Sequence, residues 1–226
     1  MNIVLGSMFQ NSMGYIDRYI TQYYSLCAAA PQHTFDLILM EGDSTDNEAT
    51  WNRLNQIFPG KVFKRVHGGK IFGSLDDVQR WSQISFVVDG VLERVRPDHD
   101  ALVYVEADLM WEPSTILKLI GHLDKVDAAV PMIWMRGIFY DTFGYRKDGV
   151  RFGNNPPYHS VFSKPVVDGL YHLDSGGGCA AIRGDVARKY RCIPTSLAIV
   201  GFYFEMRKNG HTIGLDKSLS VHHPPV

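Results

Sequence analysis

Acidic side chains occur in two clusters, each directly after an apolar run that has the character of a β-strand. Glu41 and Asp43 follow one run, and Glu106 and Asp108 follow another. Open α/β sheets bind ligands where the carboxyl ends of their strands meet, so both clusters are expected at a ligand site. Carboxylates suit divalent cations and also accept hydrogen bonds from N–H groups and hydroxyls.

Short β-branched runs that alternate with amphipathic segments must position these acids. The alternation predicts an α/β fold with a mostly parallel central sheet and helices on both of its faces. The run over 101–105 is almost entirely apolar and is expected at the centre of the sheet. One of Ser44, Thr45 and Asp46 is expected to cap the helix that follows the second strand. Predicted strands span 2–9, 35–40, 62–66, 101–105 and 127–134, and predicted helices span 15–29, 76–95 and 114–123.

The composition is that of a globular chain with almost balanced charge. The 226 residues include 23 Lys and Arg against 24 Asp and Glu, which gives a formal net charge of −1. This balance disfavours a nucleic-acid partner, since duplex binding usually needs several phosphate contacts; Lys61, Lys64, Arg65 and Lys70 could still form a local basic patch. No apolar run approaches the roughly 18 residues of a membrane span, and the N-terminus lacks the pattern of a signal peptide. Three scattered cysteines without a CxxC pair favour a reducing, cytoplasmic setting.

Several further motifs follow the two acidic clusters in a characteristic order. They are the Tyr-Asp-Thr segment at 140–142, the glycine-rich loop at 175–179, a predicted last helix that begins near Phe202, and the pair His222 and His223. Together with the turn at 41–47 and the Glu-Ala-Asp at 106–108, this order resembles GT-A glycosyltransferases, and more closely their fungal and viral mannosyltransferase-type branch. The resemblance spans the whole chain by order of elements, although no single motif is decisive.

The resemblance implies a GT-A fold and a metal-dependent transfer of a sugar from a nucleotide-diphosphate donor. A leaving nucleoside diphosphate carries about two to three negative charges, which a divalent cation neutralises. Asp108 is expected to hold this cation together with His222, chosen over His223 because Val221 should point into the core and leave the next residue at the polar end of the strand. An imidazole ligand favours Mn²⁺ over Mg²⁺. The remaining donor-binding residues implied are Ser7, Glu41, Asp43, Glu106, Gly176, Gly177 and Gly178.

The sequence departs from the resemblance just before the last helix. Many inverting members carry a Glu-Asp pair there that supplies the general base, whereas the matching stretch, 196–201, has no carboxylate. The resemblance therefore implies that the anomeric configuration is retained. An oxocarbenium-like sugar needs a carboxylate or carbonyl oxygen nearby, and Asp141, Asp174 and Glu205 are the candidate catalytic residues.

The expected organisation is one GT-A catalytic domain over 1–226, with a nucleotide-binding half at 1–108 and an acceptor half at 109–226. The expected partners are a nucleotide sugar and an acceptor, which could be a glycan, a capsid glycoprotein or a modified DNA base. A compact chain with few cysteines resembles viral or phage enzymes, which would act in the host cytoplasm.

Other functions and plainer structural roles remain open from the sequence. A sugar nucleotidyltransferase would share the architecture, but its first strand should lead into a Gly-rich loop that contains Arg. No GxGxxG motif of a dinucleotide-dependent oxidoreductase follows that strand either. A non-catalytic nucleotide-sugar-binding module is favoured by the missing Glu-Asp pair. The turn at 41–46 could be only a solvated helix cap, and the two terminal histidines could be surface residues.

Overall fold

A computed structural model describes residues 1–68, 77–194 and 198–224 of the chain. The strands are β1 (Asn2–Phe9), β2 (Thr34–Glu41), β3 (Val62–Lys64), β4 (Ala101–Val105), β5 (Ala128–Met135), β6 (Ile138–Phe139), β7 (Arg146–Lys147), β8 (Val150–Arg151), β9 (Tyr171–Leu173), β10 (Cys179–Arg183) and β11 (Ile213–His222). The helices are α1 (Ile16–Ala29), α2 (Ala49–Ile57), α3 (Val78–Leu92), α4 (Pro113–Gly121), α5 (Gly184–Lys189) and α6 (Ala198–Lys208). Short 3₁₀ helices span His122–Asp124 and Ser160–Ser163.

Within these described ranges the main sheet has nine strands, in the order β3-β2-β1-β4-β10-β5-β11-β9, with β6 paired to β5. Strands β3, β2, β1 and β4 are parallel, as are β5 and β11. Strand β10 runs antiparallel to both β4 and β5, and so joins the two parallel groups. The expected α/β class with a mostly parallel sheet and flanking helices is confirmed.

The centre of the sheet is apolar because helices cover it. Every residue of β4 is buried, as its nearly continuous apolar sequence predicts. Helix α3 packs against β1 and β2, whereas α4 packs against β5 and β10. Helix α3 leads back towards the start of β4, so its first turn lies near the carboxyl end of that strand. This arrangement brings the beginning of α3 to the predicted ligand edge.

The turn after β2 is stabilised by its own acidic residues. Glu41 is fully buried, and its Oε1 accepts the Ser44 amide at 2.6 Å. Asp46 accepts the backbone amide of Thr50 at 3.1 Å near the start of α2. The N-cap position itself belongs to Glu48, which has a left-handed backbone and makes no side-chain capping bond. Asp46 therefore performs the capping interaction predicted for this turn, from two residues before the N-cap.

The predicted basic patch is largely neutralised where the structure describes it. Lys61 pairs with Asp36, Lys64 with Glu48, and Arg65 with Glu93. Lys70, the fourth residue of the predicted patch, lies outside the described residues.

None of the described helices has the length and apolar character needed to cross a bilayer.

An ion-pair network around Asp36 connects β2 to the segments before β3 and β4. Its carboxylate binds Lys61 and, at 2.7 Å, Arg96. Partial burial by itself would raise the pKa of Asp36, but hydrogen bonds from Lys61, Arg96 and the Leu37 amide outweigh burial and hold the pKa well below its ordinary value. A depressed pKa in the folded state stabilises the fold above the unfolded-state pKa of about 3.9, and this contribution is lost as the pH falls through the folded-state pKa.

We therefore expect Asp36→Asn to destabilise the protein by about 1 kcal/mol near pH 6, because both basic partners are half-exposed and solvent screens them. The difference from wild type should shrink as the pH falls below about 4. Urea unfolding midpoints between pH 2.5 and 7 measure this, with Asp124→Asn as a control at an exposed site. A deficit that stays constant down to pH 2.5 would contradict the ion-pair account.

Candidate functional site

A cavity of about 480 Å³ opens at the carboxyl ends of β1 and β4. It is bordered by the loop after β2, the beginning of α3, the turn after β4, the segment at 140–144 and the end of β11. Its polar lining includes Gln10, His67, Arg80, Glu106, Asp108, Tyr140, Asp141 and His223, and its glycines are Gly42, Gly144 and Gly178. Three of these side chains are acidic, and they come from two parts of the chain that lie far apart in sequence.

Both acids of the Glu-Ala-Asp segment border the cavity, and the chain turns directly after β4. The Glu106 amide donates to the Gly178 carbonyl at 2.9 Å, and the Leu109 amide donates to the Glu106 carbonyl at 3.1 Å. Arg18 of α1 fixes the turn further, since its guanidinium donates to the Asp108 carbonyl at 2.6 Å.

Asp108 meets an imidazole at the end of β11. The Nε2 atom of His223 lies 3.0 Å from Asp108 Oδ2, and the ring packs against Tyr140 with 4.3 Å between centroids and 32° between the ring planes. The hydrogen bond to Asp108 raises the pKa of His223, despite partial burial. The other oxygen, Asp108 Oδ1, is buried and has no hydrogen-bond partner. An added cation would satisfy that oxygen.

The structure corrects the choice between the two histidines. Val221 is fully buried, as expected from the strand alternation, but His222 then points outward and is exposed. The backbone of His222 still pairs with Met110 through two hydrogen bonds of 2.7 and 2.8 Å. The chain leaves the strand only at His223, so the imidazole that reaches Asp108 comes one residue later than predicted.

Asp141 is held beneath the glycine-rich loop. Its two carboxylate oxygens accept the amides of Gly144 at 2.9 Å and Gly178 at 3.1 Å. Burial raises the pKa of Asp141, although these two hydrogen bonds oppose the rise. The Glu106 pKa is raised well above its ordinary value, first by burial and then by the neighbouring charges of Asp108 and Asp141. In the absence of a ligand, the cavity therefore favours the neutral form of both acids more than an exposed site would.

The glycines of the loop are required by close packing against the acids. A Cβ atom on Gly177 would lie 2.0 Å from Asp141 Oδ2, and one on Gly178 would lie 2.4 Å from Glu106 Cδ. A Cβ atom on Gly176 would meet Val130 at 2.6 Å. The sequence analysis expected these glycines to admit the donor sugar. Only Gly178 borders the cavity, and all three let the loop pack closely on its surroundings.

Several predicted site residues lie outside the described cavity lining. Ser7 is buried and shares a 2.7 Å hydrogen bond with Tyr19. Glu41 serves the turn after β2, and the Asp43 carboxylate accepts the amides of His67 and Gly68 at 3.1 and 2.7 Å. Glu41 and Asp43 thus stabilise the turn on either side of Gly42, whereas Ser7 belongs to the packing between β1 and α1.

The remaining two catalytic candidates also lie away from it. Asp174 accepts the Gly149 amide at 3.0 Å, and Glu205 lies 4.0 Å from Lys208 on α6. Of the three carboxylates proposed from the sequence, only Asp141 borders the cavity. The stretch at 196–201, which lacks the Glu-Asp pair, lies partly outside the described residues, because the structure does not describe 195–197.

Sequence reasoning missed Arg80 and Gly144. Arg80 lies in the first turn of α3, next to Trp81 and Ile84, which also line the cavity. The signal that could have found it is topological: a helix that leads into β4 begins near the carboxyl end of that strand. For Gly144 the only sequence signal is its spacing of three residues from Asp141.

The described residues contain no cluster of three or more His, Cys, Asp or Glu side chains that could hold a metal ion by themselves. Asp108 and His223 fit a divalent cation by donor type, as a carboxylate and an imidazole. The unpartnered Asp108 Oδ1 supports the same fit. A cation at this position would therefore depend on further oxygen atoms from a bound ligand.

Comparison with known proteins identifies the fold. No protein-family model matches the chain, and no curated protein sequence matches it. Among solved structures, Staphylococcus aureus TarS 1–349 in complex with UDP-GlcNAc is 11% identical with a TM-score of 0.58, and the match covers 100% of this chain and 59% of that chain. GalNAc-T7 with UDP, GalNAc and Mn²⁺ is 12% identical with a TM-score of 0.61, covering 99% of this chain and 43% of that one.

A third similar structure is the mannosyltransferase PcManGT from Pyrobaculum calidifontis in complex with GDP-Man and Mn²⁺. It is 11% identical with a TM-score of 0.60, and the match covers 97% of this chain and 56% of that chain. The chain thus spans between 43% and 59% of the lengths of these three structures. The chain has the GT-A fold.

The packing of Gly177 on Asp141 gives a direct test of the site. Gly177→Ala places a methyl group against the carboxylate, so we expect it to destabilise the protein by about 1–3 kcal/mol. Gly121→Ala is the matched control, because a Cβ atom there meets nothing within 4 Å. It should leave stability unchanged or raise it by up to about 1 kcal/mol. Urea unfolding midpoints compare the two, and equal effects would contradict the packing described here.

Proposed function

We propose that this protein is a metal-dependent glycosyltransferase that moves a sugar from a nucleotide-diphosphate donor to an acceptor hydroxyl. The observation that carries the proposal is the placement of Asp108, His223 and Asp141 around one cavity of a GT-A fold, at the edge of the sheet where such ligands bind. Residues 1–108 would form most of the donor side and residues 109–226 most of the acceptor side, with β10 joining them in one sheet.

Asp108 and His223 would hold Mn²⁺ or Mg²⁺, and the cation would neutralise charge on the diphosphate leaving group. The imidazole favours Mn²⁺. His223 is oriented for this role from two sides, by its packing against Tyr140 and by its amide, which donates to the Trp134 carbonyl at 2.7 Å. Because the His223 side chain is already held in place, it would lose little conformational entropy when it coordinates the cation.

Asp141 is the proposed catalytic carboxylate. As the bond between the anomeric carbon and the diphosphate oxygen breaks, its electron pair stays on that oxygen and the sugar gains oxocarbenium character. The Asp141 carboxylate would stabilise this positive charge while its oxygens remain bound to the amides of Gly144 and Gly178. The acceptor oxygen then bonds to the anomeric carbon, and its proton passes to the diphosphate oxygen that has just left on the same face.

A non-catalytic nucleotide-sugar-binding module is the second candidate. The position of Glu205 and Asp174 outside the cavity favours it, because Asp141 then remains as the sole carboxylate of the three candidates next to a bound sugar. Transfer or hydrolysis of a radiolabelled sugar by the wild-type protein separates the two functions. Binding without any turnover across UDP-, GDP- and TDP-sugars would support the module.

The metal site predicts unequal effects for two adjacent histidines. His223→Ala and Asp108→Asn should each weaken Mn²⁺-dependent binding of a nucleoside diphosphate by about 10- to 100-fold or more. His222→Ala is the matched control and should bind as wild type does. Asp108→Asn should leave the unfolding midpoint unchanged or raise it, since functional charges often reduce stability. Calorimetric titrations with UDP and GDP, in Mn²⁺ and in EDTA, measure these affinities.

Two outcomes of these titrations would count against the metal site. One is equal affinity of the wild-type protein in Mn²⁺ and in EDTA. The other is a loss in His222→Ala that matches the loss in His223→Ala.

Retention of the anomeric configuration is a second proposed property. The stretch at 196–201, which includes the first turn of α6, offers no carboxylate to deprotonate an acceptor from the face opposite the leaving group. We expect the product to keep the configuration of the donor. Proton NMR of the new anomeric centre, measured on product from a simple alkyl glycoside acceptor, tests this, and an inverted product would refute it.

A further inference from the structure

The charges that line the cavity are unequal in sign. Glu106, Asp108 and Asp141 contribute carboxylates, whereas Arg80 is the single Lys or Arg among the described lining residues. A nucleoside diphosphate would add about two to three further negative charges. One divalent cation at Asp108 and His223 carries two positive charges, which a diphosphate alone matches or exceeds, so the position of any other cationic group matters.

Arg80 has no protein partner within the part of the chain that the structure describes. Its guanidinium makes no hydrogen bond there and no ion pair within 4.0 Å, whereas other partly buried arginines are engaged. Arg18 binds the Asp108 carbonyl, and Arg65 pairs with Glu93. A guanidinium presents five fixed N–H donors that match phosphate oxygens, and here those donors are available to a ligand.

Arg80 also lies where a diphosphate would meet the metal site. It borders the same cavity as Asp108, and its positive charge acts on both Glu106 and Tyr140. Tyr140 in turn packs against His223. The first turn of α3 therefore brings a positive charge to the same group of residues that would hold the cation.

We propose that Arg80 binds the diphosphate of the donor through its guanidinium and shares with the cation the neutralisation of the leaving group. This inference rests on the proposed function, because it assigns a residue to the same donor site. In addition to the metal, Arg80 would contribute to recognition of the diphosphate. Some preference for a diphosphate over a monophosphate should therefore survive in EDTA.

The test compares ligands that differ by one phosphate. Wild type, Arg80→Gln, Arg80→Lys and Lys118→Gln are titrated with UDP, UMP, GDP and GMP, with and without Mn²⁺. Lys118 is exposed on α4, so its substitution removes the same unit of charge away from the cavity. The quantity measured is the ratio of monophosphate to diphosphate dissociation constants for whichever base binds.

Arg80→Gln should lower this ratio by roughly 10- to 100-fold while leaving monophosphate affinity within about twofold, because charge-assisted hydrogen bonds to phosphate are strong. Arg80→Lys should fall between it and wild type, and Lys118→Gln should match wild type. Thermal unfolding checks that each variant is folded, and if Arg80→Gln does not fold, the intermediate ratio of Arg80→Lys decides the question.

The two proposals fail in different ways. If the wild-type protein binds neither diphosphate under any condition, the proposed function is wrong. If wild type binds a diphosphate and the Arg80 variants keep its ratio, the donor site stands and the role of Arg80 is overturned.

Discussion

Close packing of a glycine loop on two half-buried carboxyl groups, Glu106 and Asp141, shapes one wall of the cavity. Glu106 and Asp141 would repel one another if both were ionised, and each is brought to its place by backbone groups of this loop or of the turn at Gly144. The 2.0 Å that would separate a Cβ atom on Gly177 from Asp141 leaves no room for any other residue. The loop precedes β10, the strand that joins the two parallel parts of the sheet. The connection between the two halves thus coincides with the site.

Acidic groups that share one cavity are costly to ionise unless a ligand compensates for their charge. Burial raises the pKa values of Glu106 and Asp141, and Asp108 forms an ion pair with His223. Perturbed carboxyl groups in a cleft are typical of functional sites, because a fold selected for stability alone would avoid them. A cation and a guanidinium that together meet an anionic leaving group would relieve this repulsion and use it for binding.

The sequence predicted the parts of the fold that depend on local pattern. The strand over 101–105 and the helix that begins near Tyr15 were found almost to the residue, because apolar periodicity specifies them. It also predicted that Asp108 and a terminal histidine would lie near one another, through resemblance in the order of motifs. Strand alternation alone did not show which of the two histidines reaches Asp108. The backbone of His222 still pairs with Met110, and the chain leaves the strand only at the next residue, His223, whose side chain turns inward. Arg80 and the separation of Glu205 from the cavity depend on how helices pack on the sheet, which no local pattern encodes.

The central claim is that His223 and Asp108 hold a cation next to a bound diphosphate. Electron spin-echo envelope modulation of Mn²⁺, recorded with the protein and a saturating nucleoside diphosphate, measures this contact most directly. We expect ¹⁴N modulation from a coordinated imidazole and ³¹P coupling from the diphosphate in wild type and in His222→Ala, with the nitrogen signal lost in His223→Ala. Phosphorus coupling without any imidazole nitrogen in wild type, or a nitrogen signal that persists in His223→Ala, would contradict it.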